Sequence, residues 1–217
     1  DPRFFALEQQ HLWRRSWLLA AHIDELPAEG DFLLWEMAGQ PVLLVHGDHG
    51  AVNAFYNTCS HRGAPVVTQP RGNRRRFTCP YHGWSYNRAG ELMAVRDAED
   101  FRDLDLSQRG LTSIRCERFG NLIFVNFDHD APTLLEWLGP LAAEWEEFQF
   151  DRCRLAARHD VEPAAYQPLP DDAPPPGTER ARHEAVAVRR CAKRPREPPS
   201  QPATACSSRR SFAATAR

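Results

Sequence analysis

The sequence predicts a mainly β protein: a small antiparallel β-sandwich with flanking helices, followed by a low-complexity tail. Three observations carry this expectation. Short apolar, β-rich segments recur at close intervals between residues 17 and 127, turn signals separate them, and the composition breaks after Glu162. Many short strands at such spacing favour packed sheets over a helical or doubly wound architecture.

The elements follow in chain order. ALEQQHLWRRSW (Ala6 to Trp17) places Leu7, His11 or Leu12, and Trp13 to Trp17 at helical spacing and predicts an N-terminal amphipathic helix. Four strands are expected at WLLAAH, DFLLWEM, PVLLVHG and AVNAFYN, divided by AEGD, AGQP and HGDHG. Five more are expected at RRFTC, WSYNR, ELMAV, LTSIRCERF and NLIFVNF, with RAGE and RFGN as hairpin turns. TLLEWLGPLAAEWEEF predicts a second helix over 133–148, interrupted at Gly139-Pro140, where proline has no N–H to donate.

The break after Glu162 is sharp. Residues 1–162 hold 24 acidic and 17 basic side chains, whereas residues 163–217 hold 5 acidic and 10 basic ones. All six tryptophans precede residue 146. The last 55 residues contain ten of the 18 prolines but only one Leu, two Val, one Phe and no Ile. So little apolar surface cannot offset the conformational entropy of ordering the chain, so 163–217 reads as a disordered tail. There is no apolar run of 18 residues, and DPRFFALEQQ lacks the basic and apolar regions of a signal peptide. The absence of an initiator Met suggests a trimmed or incomplete reading frame. Six cysteines without a secretion signal point to a reducing cytoplasm and to thiolate ligands rather than disulfides.

Two loops carry the chemistry. NTCSHRGAP holds Cys59 and His61 as C-x-H; FTCPYHGWSY holds Cys79 and His82 as C-x-x-H; 17 residues separate His61 from Cys79. A glycine lies close after each histidine, Gly63 and Gly83, which would let backbone approach a small inorganic body without a Cβ clash. Structural zinc usually pairs like ligands locally, with two Cys close together and two His close together. Here each loop offers one thiolate and one imidazole, which suits two irons, one held by two Cys and the other by two His. A zinc-stabilised binding module remains the alternative from another functional class.

CSHRG and CPYHGW together resemble the Rieske motif C-x-H-x17-C-x2-H at every ligand position. With FALEQQHLWRRSWLLAAHIDELPAEGDF and FGNLIFVNFD, residues 1 to 162 look like the Rieske part of the α (large) subunit of Rieske non-haem iron aromatic ring-hydroxylating oxygenases. The resemblance implies a lead-in over 1–35, a Rieske-type domain with a 2Fe-2S cluster over 36–162, and Cys59, His61, Cys79 and His82 as metal ligands. It places Arg62, Gly63, Tyr81 and Trp84 next to the cluster, although Trp84 reads equally well as a plain core aromatic. It also implies a ferredoxin or flavin reductase as electron donor and a homotrimer or α/β oligomer, with no nucleic acid and no membrane as partner. A free-standing Rieske ferredoxin is the nearer alternative, against which both flanking helices argue.

The same family passes the electron to a mononuclear Fe(II) held by two His and one carboxylate, which activates dioxygen. Residues 163–217 hold one histidine, His183, and nothing like that pattern. The expectation is therefore a frameshifted or truncated α subunit, with no catalytic residue in this chain and no hydroxylating activity on its own. RGNRRRF (Arg71 to Phe77) reads as a solvated hairpin tip, with a docking patch for an acidic electron donor as the sharper alternative. Cys116 and Cys153 read as buried thiols, and His11, His22, His46, His49, His129 and His159 as surface or core residues.

Overall fold

The computed structural model describes residues 1–161 and 183–190, with side chains described to Arg158. The largest layer is an antiparallel sheet of seven strands. They are β1 (Leu18–His22), β2 (Asp31–Met37), β3 (Gln40–His46), β4 (Val52–Tyr56), β5 (Arg71–Asn73), β9 (Ser113–Phe119) and β10 (Leu122–Asn126). Their order is β1-β10-β9-β4-β3-β2-β5. A second sheet joins β6 (Phe77–Thr78), β7 (Ser85–Tyr86) and β8 (Leu92–Ala94). The helices are α1 (Pro2–His11), α2 (Leu134–Leu138) and α3 (Leu141–Glu146). No helix among the described residues is long and apolar enough to cross a membrane.

The apolar runs of β2 and β3 are continuous because both faces of these strands are buried. Phe32, Leu43 and Val45 face one core together with Cys59, Phe77, Cys79, Trp84 and Tyr86. Leu33, Trp35, Val42 and Leu44 face a second core with Leu18, Ile114, Ile123 and Val125. The period of two along a strand divides the side chains between the faces. The first core lies on the side of the sheet that carries both cysteine loops. A third cluster seats Trp17, Leu122 and Phe124 against Leu134, Leu138 and Ala142 of the helical segment. Gly139 (φ 51°) does break that segment in two, as the sequence predicts.

Three elements differ from expectation. The first helix spans Pro2–His11 rather than Ala6–Trp17, because Asp1 caps it by accepting the Arg3 N–H at 2.8 Å and Pro2 suits its first turn. Trp13–Arg15 form a separate 3-10 turn. Within the basic run, Arg71–Asn73 form edge strand β5 against β2, pairing Asp31 with Asn73. Its side chains stay exposed, as a solvated segment requires.

The third difference lies in the stretch expected to be a tail. His183–Arg190 form β12, antiparallel to β11 (Cys153–Val161). The small and β-branched alternation of AVAV suits a strand even though the surrounding composition does not. The rest of 163–217, where the frameshift expectation falls, is outside the described residues.

Candidate metal centre

Each cysteine loop leaves a strand of the first core. β4 runs into Asn57, whose buried amide closes the base of the first loop. Its oxygen accepts the Val66 and Val67 N–H groups at 3.1 and 2.9 Å, and its nitrogen donates to the Val67 carbonyl at 2.7 Å. The second loop is the connection from β6 to β7, where Thr78 pairs with Ser85 and their hydroxyls lie 2.9 Å apart.

The two loops share one backbone pattern. The Cys59 N–H donates to the Ala64 carbonyl at 2.8 Å, and the Cys59 carbonyl accepts the Gly63 N–H at 2.9 Å. The Cys79 N–H donates to the Trp84 carbonyl at 2.8 Å, and the Cys79 carbonyl accepts the Gly83 N–H at 3.0 Å. Gly63 and Gly83 adopt φ of 74° and 75°, left-handed values that L side chains rarely take. A Cβ at Gly63 would meet its nearest neighbour, Thr58, at 4.0 Å, and one at Gly83 would meet Arg96 at 3.5 Å. Among the protein's own atoms, positive φ rather than crowding is thus the local demand on these glycines.

The repeated geometry sends thiols inward and imidazoles outward. Cys59 and Cys79 are 3% and 2% exposed, inside the first core. Burial and then the neighbouring Cys59 sulfur push the Cys79 thiol above its ordinary value, with Tyr81 and His82 N–H groups opposing. His61 and His82 are half-buried and their ring centroids lie 4.6 Å apart at 68°. Burial, His82 and the Arg62 guanidinium hold the His61 imidazole below its ordinary value, which keeps it in the neutral form that can bind a metal. Its Nδ1 is buried without a hydrogen-bond partner. The fold thus offers two thiols buried in the core and two half-buried imidazoles side by side, a donor set that fits a two-iron body held by two Cys and two His.

The expected neighbours divide by burial. Trp84 is 3% exposed and stacks on His61 at 4.8 Å and 8°, so it is a core aromatic and a wall of the site at once. Tyr81 is 62% exposed, with its ring 3.7 Å from that of His82. Arg62 and Gly63 are exposed. Cys116 is half-buried, its thiol pushed up to about 12 by burial and by Glu117; Cys153 is buried beneath the Phe148 and Gln149 carbonyls. His22 and His46 are engaged elsewhere: His22 Nδ1 accepts the Asp24 N–H at 3.1 Å, and His46 Nδ1 lies 2.6 Å from the Leu26 carbonyl.

Sequence reasoning missed four contacts. The Tyr86 hydroxyl lies 3.1 Å from the Cys59 sulfur. Ser60 reaches the same hydroxyl at 3.0 Å, and Phe101 packs edge-on against His61 and Trp84. Tyr86 and Ser60 stand inside the two loop strings, but no spacing rule joins residues 26 positions apart. Phe101 carries no motif signal at all.

Residues 16–108 match the Rieske [2Fe-2S] domain family. The chain is 33% identical over 162 residues to the glycine betaine monooxygenase oxygenase subunit of Chromohalobacter salexigens, covering 74% of this chain and 36% of that one. It is 40% identical over 146 residues to the biphenyl 2,3-dioxygenase subunit alpha of Rhodococcus jostii, covering 64% and 32%. Among solved structures, naphthalene 1,2-dioxygenase with indole bound superposes with a TM-score of 0.68 at 31% identity, covering 75% of this chain and 38% of that one. The chain thus spans between 32% and 38% of the length of these three relatives.

Proposed function

Because the chain carries a Rieske [2Fe-2S] domain of the kind found in oxygenase α subunits, we propose that Cys59 and Cys79 hold one iron of the cluster and His61 and His82 the other. The observation that carries this is the paired geometry, two buried thiols in the core and two imidazoles 4.6 Å apart above them. A cluster so held supplies reversible one-electron transfer. The chain's own residues do the rest. Trp84 and Phe101 shield His61 from water, the Tyr86 hydroxyl offers a hydrogen bond to the Cys59 sulfur, and the half-exposed imidazoles form the edge through which charge enters and leaves.

The donor we propose is an acidic protein, a ferredoxin or a flavin reductase. Residues 57–96 contain seven arginines and one acidic residue, Glu91, although 1–162 as a whole is acidic. Arg62 adjoins His61, and Arg96 lies against Gly83 of the other loop. Such a local field raises the association rate of an oppositely charged carrier. The electron's destination in the whole protein is a mononuclear iron that activates dioxygen, in a cytoplasmic oligomer of α subunits or of α and β subunits. The role we assign to the residues of this chain is electron transfer through the cluster.

The test is to produce the chain with iron and sulfide available and record metal content and the reduced-state EPR spectrum. Two irons, two acid-labile sulfides and a Rieske-type signal are expected. A colourless protein holding one zinc overturns the reading.

A further inference from the structure

The Tyr86 hydroxyl is fully buried and meets three groups. It accepts the Ser60 N–H at 3.2 Å, and it lies 3.0 Å from Ser60 Oγ and 3.1 Å from Cys59 Sγ. A tyrosine hydroxyl has one proton to give. The direction of the Ser60 bond is settled by a fourth group: Ser60 Oγ lies 2.6 Å from the Arg109 carbonyl, which can only accept. Ser60 therefore spends its only hydroxyl proton on Arg109, and towards Tyr86 it can act only as an acceptor. That carbonyl is well held, since the Arg109 N–H closes a turn on Leu106 at 3.1 Å.

Two acceptors at nearly equal distance thus compete for one proton. A metal-bound cysteine is a thiolate with no proton of its own, so any hydrogen bond between Cys59 and Tyr86 must then be donated by Tyr86. We propose that Ser60 is a positioning residue for the cluster: by drawing the Tyr86 proton toward its own oxygen it weakens the hydrogen bond to Cys59 and holds the reduction potential down. This rests on Cys59 being an iron ligand. The sign follows from charge. Reduction adds an electron to the cluster, a donated hydrogen bond stabilises the added negative charge, and removing the competing acceptor strengthens that bond.

The experiment is an equilibrium redox titration of the cluster-loaded chain at one fixed pH, read by EPR and visible circular dichroism. Ser60→Ala is expected to raise the potential by a threefold to tenfold change in the reduction equilibrium, about 28–59 mV for one electron. Tyr86→Phe is expected to lower it, and adding Ser60→Ala to Tyr86→Phe should then change nothing. Ser60→Thr, which keeps the hydroxyl, should stay at the parent value. Ser60→Gly replaces Ser60→Ala if the latter loads no cluster. An unchanged or lowered potential in Ser60→Ala overturns the inference, as does an equal shift in the Tyr86→Phe background, which would mark a packing effect. Both outcomes leave the ligand assignment standing. A parent chain with no Rieske signal overturns the assignment and this inference together.

Discussion

The Tyr86 hydroxyl lies 3.1 Å from the Cys59 sulfur, with Tyr86 fully buried and Cys59 only 3% exposed. No water competes at such a place, and a hydrogen bond to a charged sulfur counts for more than one to a neutral group. Tyr86→Phe is therefore expected to lower the reduction potential by about 1.4 kcal/mol, ~59 mV for a one-electron couple. Redox titration measures it; a potential equal to the parent's would show that the hydroxyl does not act on the cluster.

Replacing His61 or His82 with Ala, or Cys59 or Cys79 with Ser, is expected to abolish or convert the Rieske-type spectrum. His46→Ala makes a control, because His46 is engaged with the Leu26 carbonyl rather than with the site. Iron content and reduced-state EPR provide the comparison. An unchanged spectrum in any of the four ligand variants would mean that residue is not a ligand.

Gly63→Ala and Gly83→Ala should behave alike, since both glycines sit at nearly the same φ in loops with the same hydrogen bonds. Neither added methyl would meet another protein atom closer than 3.5 Å. The expected penalty is conformational, about 1–2 kcal/mol for each. Urea midpoints of the two variants test it, and a large difference between them would break the proposed equivalence of the loops.

Charge reversal at the cluster edge should act on rate more than on potential. With dithionite as an anionic probe, Arg62→Glu and Arg96→Glu together are expected to slow cluster reduction about tenfold at low salt. The difference should vanish near ~1 M salt, where screening acts within about 3 Å. Reduced methyl viologen, a cation, should show the opposite sign in stopped-flow traces. Equal rates with both probes would remove the electrostatic argument for an acidic donor.

Asp24 ties the turn after β1 to the start of β11. It accepts from the Arg154 guanidinium at 2.8 Å and from the Leu155 N–H at 3.0 Å. Burial pushes its carboxyl up, but the Leu155 N–H, Arg154 and His22 together outweigh burial and hold it below its ordinary 3.8. A carboxylate depressed in the folded state contributes stability above its unfolded value and loses it as pH falls through the folded one. Leu155 amide protection from hydrogen exchange should therefore fall about fivefold below pH ~4, a modest factor because Arg154 is largely exposed. Asp24→Asn should remove the pH dependence; if protection in the parent stays flat through this window, the tie does not depend on the charge.

Much of the fold was legible because its signals are local. β2, β3, β4, β9 and β10 lie where apolar runs and turn residues place them, and Gly139-Pro140 breaks the helical segment as proline and glycine chemistry requires. Three features were not. Arg71–Asn73 form a strand with every side chain exposed, so no apolar pattern announces it; its partner β2 supplies the reason for it. The first helix begins at Pro2, ahead of the Ala6 start that apolar spacing predicts, because the Asp1 cap and Pro2 set its first turn. His183–Arg190 pair with β11 inside a stretch whose composition predicts disorder.

By itself the sequence determined the chemical types at the centre. One cysteine and one histidine in each of two turn-rich loops, with glycine following, restrict what can bind before any coordinate is known. Tertiary structure decided how those side chains are disposed and what surrounds them. Packing β6 to β8 against the large sheet buries the thiols, leaves the imidazoles at the surface and stacks Trp84 on His61. It also carries the Tyr86 hydroxyl to Ser60 and Cys59, 26 and 27 residues away. Ligand identity is a property of the side chain and can be read in order along the chain. Hydrogen-bond competition depends on distances between residues far apart in sequence, and only the folded core sets those.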